Sequence, residues 1–291
     1  MKLLYIHQYF AFPDVHSSTR SYDLAREFLK NGLEVTVITT TTKIKGLNER
    51  KRWNSFQKEG IYFWVLSCNY YQSMSTFKRI LAFLKFMCFS SIKVISIKAD
   101  IVLATSTPIT VAVPALIKKL FHKTAFIFEI RDLWPEELIK MKLIRGKSLA
   151  AILLWFEKFI YLKASYLVPL SVDMERSILL KHPGFASKTV VIPNISEIKR
   201  FQNNVKSLDL NLGFDLEREK VILYAGAIGT ANGLMYLANL AVSMIDLNPN
   251  VKFLVIGIGN EKEKVMAYCH SKGNLNRNIF FTIRKPGFLW D

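Results

Sequence analysis

Phe126-Ile127-Phe128-Glu129-Ile130-Arg131-Asp132-Leu133-Trp134-Pro135-Glu136 is the stretch whose reading decides the fold. It opens as a buried strand. It then brings Glu129, Arg131 and Asp132 within four positions, and Trp134-Pro135 closes the turn. An apolar strand that ends in charge places that charge at the carboxyl edge of a sheet, where open α/β sheets bind their ligands. Downstream, Leu223-Tyr224-Ala225-Gly226-Ala227-Ile228-Gly229 repeats the device, a strand running into a glycine turn and then a helix. Two such transitions, one in each half of the chain, predict two facing α/β domains with a cleft between them.

Outward from this stretch, short apolar runs alternate with helical patterns. Strands are expected at residues 3–6, 35–38, 61–65, 100–104, 124–129, 166–168 and 189–192. Helices are expected from Ser18-Thr19 to Asn31-Gly32, at 76–98, after Pro108, at 147–163 and after Ser171, with a polar, basic loop over 40–58. The alternation predicts a doubly wound parallel sheet. Residues 1–195 form the first domain, 196–219 a polar connection, and 220–291 a second βαβ pattern. That last segment is shorter than the usual span of about 100–150 residues, so a partial, truncated second domain is the expectation.

The 291 residues carry 40 Lys and Arg against 23 Asp and Glu, a net charge of +17. Such a balance favours polyanionic partners, whether nucleic acid, phosphorylated substrates or an anionic membrane surface. Nucleic acid is disfavoured because no recognition motif is present. Three scattered cysteines, Cys68, Cys88 and Cys269, without a Cys-x-x-Cys pair, argue against a disulfide framework or zinc site and for a reducing cytoplasm. The apolar run 3–6 stops at His7-Gln8, too short for a signal peptide. No segment reaches the roughly 18 apolar residues of a spanning helix. A cytoplasmic protein, peripheral on the inner face of a bacterial membrane, is the expectation.

Several pieces fall in one order along nearly the whole chain. They are the run from Met1 to Phe10, Ser18-Thr19-Arg20-Ser21-Tyr22-Asp23-Leu24-Ala25, Glu34-Val35-Thr36-Val37-Ile38-Thr39, Glu129 to Glu136, Val191-Ile192-Pro193-Asn194, Tyr224-Ala225-Gly226 and Val255-Ile256-Gly257-Ile258-Gly259. In these the chain resembles the family 4 retaining glycosyltransferases of the GT-B fold, and within them the bacterial L-fucosamine, colanic acid and O-antigen transferase subgroup. The resemblance implies transfer of a hexosyl or N-acetylaminosugar residue from a UDP- or GDP-linked sugar to a polyprenyl-diphosphate-linked saccharide. It implies a role in O-antigen, capsule or exopolysaccharide assembly, with no metal and no cofactor beyond the nucleotide-sugar. Three departures stand out. Pro13 to Ser18 replaces a glycine-rich turn. Ala227 and Asn232 stand where many relatives have Arg and Lys. The paired glutamates late in the second domain are missing before Asp291, so the chain is expected to be impaired or inactive.

Glycosyl transfer must stabilise a departing diphosphate and a cationic sugar, which calls for backbone N–H groups at a helix N-terminus or for cations. The implied catalytic set is Arg131, Asp132 and Glu129. Arg131 would bind acceptor phosphate or donor sugar, and Asp132 would accept sugar hydroxyls. The plain alternative is an Arg–carboxylate cluster of Arg131 with Glu129 that fixes the loop. The implied acceptor set is His16, Ser18, Arg20 and Trp134, with Arg20 as a solvated arginine in the plain reading. His7 lies at the edge of the first strand. The implied donor set is Gly226, Gly229, Asn232, Gly233, Gly257 and Gly259. The loop 226–233 either cradles a phosphate or is an ordinary βα turn. Gly257-Ile258-Gly259 lacks the third glycine of a dinucleotide fingerprint, since position 262 is Lys, and reads as a tight turn beside the donor.

On the helix 76–98, Lys78, Arg79, Lys85 and Lys93 share one sector with Ala82, Phe89 and Ser96. This sector reads either as a basic face for an anionic membrane or as a solvated face. Ile80, Leu84, Met87 and Val94 are expected to pack on the sheet. Two other functions stay open: a sugar-nucleotide epimerase on the same fold, and a non-catalytic membrane-associated fragment.

Overall fold

The computed structural model describes residues 1–282 other than 16, 45, 49, 71–73, 143, 145, 197, 199–201, 203–213, 216 and 217. The chain divides into two compact units, Met1–Lys199 and Arg200–Asp291.

In the first unit, β1 (Lys2–Ile6), β2 (Glu34–Thr40), β3 (Trp53–Lys58), β4 (Ile61–Leu66), β5 (Ile101–Thr105), β6 (Ala125–Ile130) and β7 (Tyr166–Pro169) form one sheet. Its seven strands run in the order β3-β4-β2-β1-β5-β6-β7. Every neighbouring pair is parallel except β3 with β4. The strand order reverses between β1 and β5, which makes their carboxyl ends the switch point of the sheet. Alternation along β1 feeds two cores. Leu4 and Ile6 join one, and Leu3 and Tyr5 the other. Helix α1 (Arg20–Lys30) covers the second core through Tyr22 and Ala25. On the opposite face lie α2 (Thr76–Ser96), α3 (Ala112–His122), α5 (Lys147–Lys163) and α6 (Val172–Lys181), with Phe86, Ala115, Ile160 and Ile178 inside the first core. The short α4 (Glu136–Lys140) follows the Trp134-Pro135 turn.

Three expectations are corrected. The segment read as a loop over 40–58 contains β3, an edge strand. Glu59 (φ 51°) and Gly60 (φ 83°) join it to β4, the two positive φ values of a tight hairpin turn. The sheet is therefore mixed rather than wholly parallel. Residues 189–192 do not form a strand. Val190 and Ile192 donate to the carbonyls of Leu167 and Pro169 at 2.9 and 3.1 Å, but only Thr189 forms a bridge. The third correction concerns α2, whose packed face is turned from the expected one: Val94 packs as expected, but Ile80 and Leu84 do not. Ala82, Phe86, Ser90 and Val94 are buried at intervals of four, while Ile80 and Leu84 are exposed. The cations fold back over the neighbouring strands and loops. Lys93 Nζ stands 3.1 Å from the centroid of Trp64, Arg79 covers Tyr70, and Lys85 Nζ donates to the Ser67 carbonyl at 2.8 Å.

The second unit contains β8 (Lys220–Ala225), α7 (Leu234–Leu247), β9 (Val251–Ile256), α8 (Lys262–Ser271) and β10 (Ile279–Thr282). Its parallel sheet has the order β10-β9-β8. Ile228, Leu234, Ala238, Phe253, Val255 and Val265 lie in its core. Most of the expected connection and residues 283–291 lie outside the described residues.

Candidate active site

The site grows from three strand ends at the switch point. After β1 come His7, Gln8 and Tyr9; after β5, Ser106 and Thr107; after β6, Arg131 and Asp132. Hydrogen bonds lace the last two loops together. The Arg131 N–H donates to Ser106 Oγ at 2.9 Å, the Ser106 N–H donates to the Glu129 carbonyl at 3.0 Å, and Thr107 Oγ donates to Asp132 Oδ2. Arg131 is half-buried and Asp132 exposed.

Arg131 Nη1 approaches His7 Nε2 at 3.4 Å. An arginine only donates, so Nε2 accepts and the imidazole proton sits on Nδ1. His7 is buried, and burial first, then the Arg131 charge, hold its pKa well below the ordinary histidine value. It is a neutral ring. Among the described residues its Nδ1 has no partner, nor do Gln8 Nε2, Gln8 Oε1 and the Tyr9 hydroxyl. A buried polar group without a partner costs about 1–3 kcal/mol, and folded proteins leave few of them. Several in consecutive residues, beside a half-buried cation, make this strand end the candidate ligand site. Gln8 and Tyr9 escaped the sequence reading. Their signal was the polar run that breaks an apolar strand.

Glu129 and Arg20 stand elsewhere than expected. Glu129 is 1% exposed and Arg20 3%. Arg20 Nη2 lies 2.9 Å from Glu129 Oε1, and its Nε donates to the same oxygen at 3.0 Å. The other donors reach the carbonyls of Pro193 and Ile192, the latter at 2.9 Å. Glu129 Oε2 accepts from Thr105 Oγ1 at 2.9 Å. Arg20 is thus neither solvated nor open to a phosphate. The Arg–carboxylate cluster exists, but with Arg20 in place of Arg131. Buried beside it, the Tyr5 phenol is pushed well up, by burial first and the Glu129 charge second. Ser18 is exposed just before α1, Trp134 packs half-buried against the core, and His16 lies outside the described residues.

In the second unit the loops after β8 and β9 touch. The Gly226 N–H donates to the Ile256 carbonyl at 3.0 Å and the Ile228 N–H to that of Ile258 at 2.9 Å. A methyl at Gly257 would lie 2.0 Å from the Gly226 oxygen, and one at Gly259 2.1 Å from the Ile228 oxygen. These two glycines serve close backbone approach rather than the tight turn expected of them. Ile228, fully buried, pins the loop to the core. Gly233, at φ 62°, needs its glycine to start α7. Gly226 and Asn232 are exposed, and a methyl at Gly229 would lie 3.4 Å from Asn232 Oδ1 and 3.8 Å from Asn260 Oδ1. Asn260, unremarked in the sequence, therefore flanks the loop beside Asn232.

Solved structures share this architecture. Sucrose-phosphate synthase from Thermosynechococcus elongatus matches with TM-score 0.67 and 13% identity, over 98% of this chain and 70% of its own. WaaG, a glycosyltransferase involved in lipopolysaccharide biosynthesis, matches with TM-score 0.58 and 16% identity, over 97% and 70%. HepE of Anabaena, solved in complex with UDP and glucose, matches with TM-score 0.60 and 15% identity, over 98% and 70%. At such identities the likeness defines the fold, and that fold is GT-B, a glycosyltransferase architecture. Residues 17–195, more than half of the chain, match the family described as Glycosyl transferase 4-like domain, and the chain belongs to that family. No curated protein matches it.

Proposed function

We propose that this glycosyltransferase moves a sugar, with retention of configuration, from a UDP- or GDP-linked donor to a polyprenyl-diphosphate-linked saccharide. The reaction would take place at the inner face of a bacterial membrane during O-antigen, capsule or exopolysaccharide assembly. The observation that carries this reading is the half-buried Arg131 beside neutral His7 and the unpartnered atoms of Gln8 and Tyr9, all at the switch point of the sheet. A fixed guanidinium in a poorly hydrated place favours a phosphate or a developing negative charge. His7, held neutral, adds no competing charge beside the guanidinium. Exposed Asp132, oriented by Thr107, would accept from a sugar hydroxyl. In the second unit the loop 226–233, with Asn232 and Asn260 at Gly229, would take the donor diphosphate through backbone N–H groups and amides rather than cations. The nucleotide complex of HepE and the lipopolysaccharide role of WaaG support the same assignment by analogy.

The test is a transfer assay with UDP- and GDP-sugars against short-chain polyprenyl-diphosphate saccharides, read by mass spectrometry, with the anomeric configuration of the product set by NMR. A mass gain of one sugar, lost in Arg131→Ala, is expected. Donor hydrolysis without transfer, or epimerised donor, would overturn the assignment.

A further inference from the structure

The outward sides of α2, α3 and α5 form one layer over a single face of the first unit's sheet. Side chains bolt the three helices together at their C-terminal ends. Lys118 donates from α3 to the carbonyl of Ile97, just past α2, and His122 from α3 to the Ile95 carbonyl at 3.1 Å. Lys119 donates across to the Lys163 carbonyl, the last of α5, at 2.6 Å. The layer is therefore one fixed surface rather than three independent helices.

That surface is apolar where solvent meets it. On α2, Phe77, Leu81, Leu84 and Ile92 fall in one stripe along the whole helix, with Phe77 and Ile92 each 69% exposed. On α5, Ile152, Trp155 and Leu162 point the same way, Trp155 is 64% exposed, and its ring stacks on Phe159 with centroids 5.6 Å apart. At the end of α3, Leu120 and Phe121 are exposed between them. Scattered exposed apolar residues are ordinary, whereas aligned stripes of them on helices fixed to one another point to an interaction surface.

The charge around it selects the partner. Together α2, α3 and α5 carry nine Lys and Arg residues and a single acid, Glu157. Glu157 is buried and accepts from the Tyr161 hydroxyl at 2.8 Å, so it does not face outward. The solvent side is apolar and bordered by cations such as Lys78, Lys147 and Lys158, with no carboxylate from these helices. An apolar ridge holding an aromatic residue within a basic border is the pattern of helices that lie in a lipid interface. In a symmetric self-contact the same cations would face one another and repel, whereas an anionic surface attracts them.

We propose that the outward layer of α2, α3 and α5 docks on an anionic lipid surface by inserting the stripe from Phe77 to Ile92 and the Trp155 ridge. This replaces the basic sector of α2 as the contact, since Arg79, Lys85 and Lys93 are engaged with Tyr70, Ser67 and Trp64. The proposal rests on the reading of a lipid-linked acceptor and gives it a geometry. The N-terminal end of α2 is joined to the site through Arg79 over Tyr70 and the Tyr70–Tyr9 ring pair, whose centroids are 5.0 Å apart. The helix that carries the stripe is thereby tied to Tyr9, at the proposed site.

Flotation of the full chain with phosphatidylglycerol-containing and pure phosphatidylcholine vesicles tests it. Wild type should float with the anionic vesicles, and vesicles should shift tryptophan emission to the blue, a shift that Trp155→Phe diminishes. Ile92→Glu/Trp155→Glu, at exposed positions where folding is checked by a thermal melt, should lower the bound fraction at least about tenfold. Lys93→Gln, a cation turned inward, should leave it unchanged. No flotation of wild type, equal flotation of the double glutamate variant, or a stable dimer that this variant splits without any vesicle binding would each overturn the proposal. Transfer to a detergent-dispersed acceptor separates it from the catalytic assignment. Flotation with no transfer would sink that assignment alone.

Discussion

Removing the Arg20 guanidinium should be the most damaging single substitution in the first unit. Arg20→Ala leaves Glu129, 1% exposed, with Oε1 unpaired. It also deprives the carbonyls of Ile192 and Pro193 of their donors. Breaking one side of a buried ion pair costs about 3–5 kcal/mol. The lost carbonyl bonds belong to the same network, so they deepen that loss without adding fully to it. Arg20→Lys keeps the charge but not the fork that reaches three acceptors, and should fall between wild type and alanine. Arg20→Met/Glu129→Leu removes both charges and should recover most of the loss, since apolar replacement of a buried pair is close to neutral. Urea unfolding followed by tryptophan emission measures this. Trp53, Trp64, Trp134 and Trp155 all belong to the first unit, which therefore dominates the signal. An Arg20→Ala loss under about 1 kcal/mol, or a double variant as unstable as the alanine, would refute the view that the pair is a buried, mutually dependent cross-link.

Arg131→Ala should reduce transfer by about a hundredfold or more, the cost of one oriented electrostatic group, with a melting temperature near wild type; activity within a few-fold would demote the residue. Burial lifts the Glu157 carboxyl from 4.5 to about 7. The folded chain therefore holds this proton to higher pH than the unfolded one, and the associated stability, fully present below pH 4.5, is lost as pH rises toward 7. Glu157→Gln should then gain up to about 3 kcal/mol at pH 8 and little at pH 4.5, and equal gains at both pH values in urea melts would contradict this. Gly259→Ala places a methyl 2.1 Å from the Ile228 oxygen. It should destabilise the second unit by about 2 kcal/mol or more and weaken nucleotide binding by calorimetry, while Gly184→Ala, with open space around it, should change neither.

The parallel strands were legible because strands covered on both faces are continuous apolar runs, and the helix at 147–163 follows from its own pattern. What escaped was set by partners distant in sequence. Arg20 and Glu129 are 109 positions apart, and nothing local shows that they meet. In α2 both sectors hold apolar residues, so periodicity alone does not tell the packed side from the open one. Ala82 and Phe89, placed on the open sector, pack beside Val94, while Ile80 and Leu84 face solvent. Long cationic side chains misled as well, because Lys93 and Arg79 lay their charges over aromatic rings instead of extending into water. The edge strand β3 was hidden by its polar composition, although Glu59-Gly60 before an apolar run was a hairpin signal.

The exchange of partners at Glu129 also explains why Arg131 is available to a ligand. Glu129 lies on β6 and Arg131 just past its end, two residues apart in sequence. Had the carboxylate turned to Arg131, the switch point would hold a neutral pair with little preference for an anion. Because α1 supplies Arg20, the carboxylate is compensated within the core, and Arg131 forms no ion pair among the described residues. Its guanidinium approaches the imidazole of His7, neutral and accepting. A half-buried guanidinium without an ion-pair partner keeps its charge for whatever enters the site, and in a poorly hydrated place that charge acts strongly. The Arg20–Glu129 cross-link thus also shapes the electrostatics around Arg131. Arg20 holds Glu129 within the core, apart from Arg131, the arginine proposed to meet the ligand.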